Sequence, residues 1–108
     1  MFERKPPIRS TQEDIAELAD DIDRFVIRLG ERIDEIQDAE LAGCIGEVSS
    51  LARQLAGDAD RLGYPVMAQI AKAAAMAAED EKISLMQEGI VELTDVAQRV
   101  RRGHRGAA

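Results

Sequence analysis

Leu51-Ala52-Arg53-Gln54-Leu55-Ala56-Gly57-Asp58-Ala59-Asp60-Arg61-Leu62-Gly63 carries two opposed signals in one run. Leu51, Ala52, Leu55, Ala59 and Leu62 recur at three- and four-residue steps, the period of one helix face. Arg53, Ala56, Gly57 and Asp60 fall on or near the other side. Gly57 works against the helix, because an interior glycine costs about 1 kcal/mol relative to alanine. Close approach of a second molecule to that side of the helix would account for it. Gly63 closes the run in the left-handed position that ends many helices, and Pro65 suits the first turn of the next one. So short a link makes the two flanking helices antiparallel neighbours.

The same periodicity continues in both directions. Upstream, Leu41, Ile45 and Val48 prolong the buried stripe, and Asp38 is the expected cap after a turn at Gln37. Gly43 and Gly46 are expected to let a neighbouring helix pack closely, with Cys44 half-buried beside the stripe. Earlier still, Ile15, Leu18, Ile22, Phe25, Leu29, Ile33 and Ile36 form a stripe about six turns long. It keeps phase across Gly30, so one helix is expected. Ser10 and Glu13 stand at capping-box spacing before it. Pro6-Pro7 excludes a helix interior, so residues 1–10 read as a flexible arm.

Downstream, Val66, Gln69 or Ile70, Ala73 and Ala77 supply a small-residue face for the third helix. Asp80 is the expected cap of a fourth, whose stripe is Ile83, Met86, Ile90, Leu93, Ala97 and Val100. Residues 103–108, with the sole histidine His104, read as a flexible tail. Four amphipathic helices on short links make an all-α, up-and-down four-helix bundle over residues 11–102.

Composition agrees. Apolar residues are 45% of the chain but aromatics only 3%, which favours helices with an aliphatic core over sheet. The net charge of −7 is unevenly spread. Basic residues gather at both ends, leaving 20 acids and 7 bases in residues 10–98. A body of that sign repels phosphate backbones, so no nucleic-acid partner is expected. No run approaches the ~18 apolar residues that span a bilayer, and the N-terminus lacks the apolar core of a secretory signal. The expected location is therefore cytoplasmic, without a membrane partner. A single cysteine excludes an internal disulfide. The Glu-x-x-His pairing of di-iron bundles is absent, so the carboxylates of the first helix read as a solvated face. No metal and no other cofactor is expected. Neither Ser-His-Asp nor Cys-His spacing occurs, so no enzyme activity is expected.

Residues 52–63 resemble the signature of the histidine-containing phosphotransfer (HPt) family, Ala-His-x-Leu-Lys-Gly-x-Ala-x-x-Leu-Gly, on the second long helix of a four-helix bundle. Ala52, Leu55, Gly57, Ala59, Leu62 and Gly63 agree with it. Two positions depart: Arg53 stands where the family has its phosphorylated histidine, and Ala56 where it has a lysine. A guanidinium stays protonated and offers no lone pair, so it cannot attack phosphorus as neutral imidazole does. The resemblance implies an HPt-like scaffold without phosphotransfer. It would bind the receiver domain of a response regulator, or a histidine kinase, through Ser49, Arg53, Ala56, Gly57 and Asp60. Gly57 would provide clearance, and Arg53 a permanent positive charge toward the receiver's acids. The alternative is a structural or oligomerising bundle whose partner is another helix surface. Val26, Ile27 and Leu85, which flank the stripes, are its sequence signal.

Overall fold

The computed structural model describes residues 5–104. A 3-10 turn, Ala16–Leu18, leads into α1 (Ala19–Leu41). Then follow α2 (Ile45–Arg61), α3 (Pro65–Glu79) and α4 (Ile83–Gly103). Each helix packs against the next, and α1 also packs against α4, which closes an up-and-down four-helix bundle. Among the described residues no helix is long and apolar enough to cross a membrane.

Most of the expected stripes of α2 and α4 point inward, but Ile83, at the first position of α4, is exposed, and Ile45 and Leu51 are only half-buried. Val48, Ala52, Leu55, Ala59 and Leu62 are buried, as are Met86, Ile90, Leu93, Ala97 and Val100. In α1 the residues from Ile22 to Ile36 are buried in phase, and the helix runs unbroken through Gly30. Val26, read above as flanking, is part of the core. Phe25 stacks on Tyr64, with ring centroids 5.7 Å apart. Burial, assisted by Glu13 and Asp23, pushes the Tyr64 hydroxyl up to about 12.

Three helix starts differ from expectation. The first helix starts at Ala19, and Ile15 is exposed. The capping-box residues are engaged elsewhere: the Ser10 hydroxyl donates to the Leu62 carbonyl at 2.5 Å and accepts from the Gln12 amide, while Glu13 pairs with Arg9. Ser10 thereby ties the entry segment to the α2–α3 turn. At its other end α1 runs past Asp38, burying Ala39 and leaving Leu41 exposed. The reversal falls on Gly43, whose φ of +74° suits glycine. Gly43 and Gly46 have open space around them, so neither serves close packing. Cys44 is exposed at the α2 N-cap.

The α3–α4 link likewise replaces the expected Asp80 cap. Asp80 ends α3, Glu81 takes φ +57°, and α4 begins at Ile83. The inward face of α3 is also rotated from expectation. Met67, Ala68, Ala71, Ala74, Ala75, Ala77 and Ala78 are buried, whereas Val66, Gln69 and Ala73 are exposed. Alanine occupies both sides of this helix, so hydropathy alone left its phase weakly defined. The exposed polar residues Gln69, Lys72 and Glu79 mark the true outer side.

The chain ends are tied down where the structure describes them. The Ile8 amide donates to the Arg99 carbonyl, and Arg99 Nε donates to the Pro6 carbonyl. Arg102 donates to the Lys5 carbonyl. Residues 5–10 are thus a strap along α4 rather than a free arm. His104, expected to lie exposed in a tail, is largely covered and meets Asp23 at 2.8 Å. The rest of the expected arm and tail, residues 1–4 and 105–108, lies outside the described residues.

Candidate docking face on the second helix

Buried Ala52, Leu55 and Ala59 orient α2 so that its other side looks outward beside α3. A groove of about 430 Å³ runs between these helices there. From α2 it is lined by Arg53, Ala56, Gly57 and Asp60, four of the five residues singled out in the sequence. Among the described residues nothing lies within 4 Å of a side chain built on Gly57, so this glycine answers no packing need inside the bundle. It leaves the helix backbone open to solvent at that point.

Ser49 lies outside this groove but acts on it through Glu79. Arg53 donates from Nε to Glu79 Oε2 at 2.5 Å and from Nη2 to Oε1 at 2.6 Å, a fork-on-carboxylate geometry. The Ser49 hydroxyl donates to the same Oε2 at 2.7 Å. The Arg53 bond, then the Ser49 bond, pull the Glu79 carboxyl down to about 2. The same pairing holds the Arg53 guanidinium above its ordinary value. The permanent positive charge of Arg53 is thus shared within the bundle, clasped by an acid of the neighbouring helix.

The clasp joins α2 to the last turn of α3 on an exposed surface, where single ion pairs add little stability. Its pH response has a definite sign. A carboxyl with a depressed folded value contributes above its unfolded pKa and loses that contribution as pH falls through the folded value. The Arg53–Glu79 contact therefore persists through the mildly acidic range and opens only as pH approaches about 2. Carbon-detected NMR of the Glu79 carboxyl should place its midpoint near that value. A midpoint in the ordinary glutamate range would mean that the fork is absent in solution.

Two contributors were not singled out in the sequence. Lys72 lines the groove from α3 and is its second cation. Its signal was the polar side of α3, which alanine obscured. Glu79 lies 26 residues from Arg53, and only the packing of α2 on α3 brings them together. Comparison with protein-family models, with curated proteins and with solved structures finds no match to this chain.

Proposed function

We propose that this chain is an HPt-like docking module that binds a receiver domain, or the docking surface of a histidine kinase, without accepting phosphate. The observation that carries the reading is Gly57. It costs helix stability, faces open space on an outward groove, and sits in the register of the HPt signature. Arg53 occupies the place of the phosphoryl acceptor and cannot act as a nucleophile. In this reading the groove is a contact surface, with Lys72 and the Arg53–Glu79 clasp at its edges. The partner's carboxylates would compete with Glu79 for the Arg53 fork.

Gly57→Ala separates stability from contact. Alanine relieves the cost of glycine, and no atom obstructs its methyl group, so thermal unfolding should show a gain of about 1 kcal/mol. Affinity for the cognate receiver, measured by titration calorimetry, should fall in the same variant because the clearance is lost. A more stable protein with unchanged receiver affinity would remove Gly57 from the docking account. Arg53→Glu should also weaken receiver binding. The absence of phosphotransfer is checked by incubation with a phosphorylated receiver and an ATP-charged kinase; acid-labile label on this chain would overturn it.

A second reading, an interaction bundle unrelated to phosphorelay, rests on apolar side chains away from this groove. Leu41, Ile27, Val91 and Leu85 are each more than half exposed. Analytical ultracentrifugation of a Leu41→Glu, Val91→Glu pair against the parent chain tests whether these residues support self-association.

A further inference from the structure

A second groove, of about 480 Å³, lies between α1 and α2. Arg24, Arg28 and Arg32 line it from α1, and Arg61 from α2. These are four of only seven basic residues in the strongly acidic stretch 10–98. Asp21, Glu35 and Asp58 also line it, so its cations outnumber its acids against the balance of the rest of the bundle. Phe25 and Leu62, both buried in the core, form its apolar floor.

The four arginines are not equally engaged. Arg24 meets Asp21 at 2.6 Å, and Arg32 meets Asp58 at 2.8 Å while lying 5.8 Å from the Phe25 ring centre. Among the described residues Arg28 has only Glu31, at 3.8 Å, and is 71% exposed. Arg61 reaches Asp21 at 3.5 Å and Asp58 at 4.0 Å, sharing both with other arginines, and is 55% exposed. Contacts that long leave most guanidinium donors of Arg28 and Arg61 free to bind a further acceptor. Arg24 and Arg32 are held in place and flank them.

We propose that this groove binds an acidic helix of a partner protein, one that carries carboxylates at one-turn intervals. Arg24, Arg28 and Arg32 follow the i, i+4, i+8 row that forms a ridge on a helix and along which a second helix packs. Four residues advance a helix by about 6 Å. A partner helix with Glu or Asp at the same spacing therefore meets the ridge in register, with Arg61 closing on it from α2. The groove is lined along α1 from Asp21 to Glu35 and is apolar only at its floor, which suits a charged helix surface. This inference does not rest on the docking reading of the Gly57 groove, since one groove lies between α1 and α2 and the other between α2 and α3.

The test uses the full chain and a synthetic alanine-based peptide helix, about 20 residues long so that it exceeds the length at which isolated helices are marginal in water, with three glutamates at i, i+4 and i+8. A peptide of identical composition with its glutamates distributed around the helix is the control probe. In an NMR titration at low ionic strength, the first peptide should shift the resonances of Arg24, Arg28, Arg32, Gln54 and Arg61 and bind more tightly than the second. Arg28→Glu and Arg61→Glu should each weaken it about tenfold or more. Lys82→Glu, with the same change in net charge but outside this groove, should leave affinity unchanged. Equal affinity for the two peptides, equal loss in all three variants, or no groove shifts would overturn the proposal. Inorganic pyrophosphate producing the same shifts at lower concentration than the peptide would also overturn it, in favour of a small phosphate ligand.

Discussion

Gly63→Ala should lower the stability of the bundle by about 3 kcal/mol, from two costs that add. The residue has φ +87°, where a side chain costs about 1–2 kcal/mol. Its new methyl group would also stand 2.6 Å from Ser10 Oγ and 2.8 Å from the Gln12 backbone nitrogen. Crowding a filled site typically costs about 1–3 kcal/mol. The neighbours cannot retreat cheaply, because Ser10 is bonded to the Leu62 carbonyl and the Thr11 amide to the Gly63 carbonyl. A loss of this size should lower the melting temperature by about 10–20 °C. Ser10→Ala in the same background, compared with Ser10→Ala alone, shows how much of the loss comes from the closest clash, since the backbone strain and the Gln12 contact remain. A melting temperature within a degree or two of the parent would mean that the turn relaxes freely and that the Ser10 anchor is dispensable.

Leu55→Ala should cost about 4 kcal/mol, toward the upper part of the range for leucine truncation in a core. Leu55 is fully buried midway along α2. The size of such a loss depends on how far the surroundings collapse into the space left behind. Much of the core that α2 and α3 contribute is alanine: Ala52 and Ala59 on α2, and Ala71, Ala75 and Ala78 on α3. Alanine has no side-chain rotamers with which to fill a void, so the cavity should stay open. Leu55→Met, which keeps the volume, should cost less than about 1.5 kcal/mol. Urea denaturation of the two variants gives the comparison directly. Similar losses in both would point to a core that tolerates repacking, contrary to its composition.

The architecture was legible where large aliphatic side chains alternate with charges. Leu55, Leu62, Met86, Ile90 and Leu93 leave one workable phase for α2 and α4, and all are buried. The phase of α3 was not legible from alanine, which is equally at home inside and outside a helix bundle. The helix starts failed for a different reason. Ser10, Asp38 and Asp80 are good local caps, but Ser10 is bonded across the fold to Leu62, and the reversals before α2 and α4 use left-handed residues, Gly43 and Glu81. Local preference was overridden by tertiary contacts.

The candidate groove was legible on its α2 side because helical spacing alone puts Arg53, Ala56, Gly57 and Asp60 together. Its electrostatics were not. Whether Arg53 presents a free or a shared charge depends on Glu79, and that pairing exists only once α2 and α3 are docked. The arginine groove illustrates the same limit. Arg24, Arg28 and Arg32 are visible as a helical row, but Arg61 joins them only through the packing of α2 on α1.

The strap of residues 5–10 has a kinetic consequence. Measured along the chain, the bond from Ile8 to Arg99 closes a loop of nearly the whole domain. Yet once the four helices have assembled, Ser10 already holds the entry segment against Leu62, and the remaining loop is only a few residues long. The entropy of the long closure is therefore borne by helix assembly, and the strap adds a small local increment. It should detach and reattach many times for each global unfolding event. Hydrogen exchange at the Ile8 amide would then run far ahead of exchange at Leu55 or Leu93, and the underside of the last turn of α4 would be intermittently bared without any loss of the bundle.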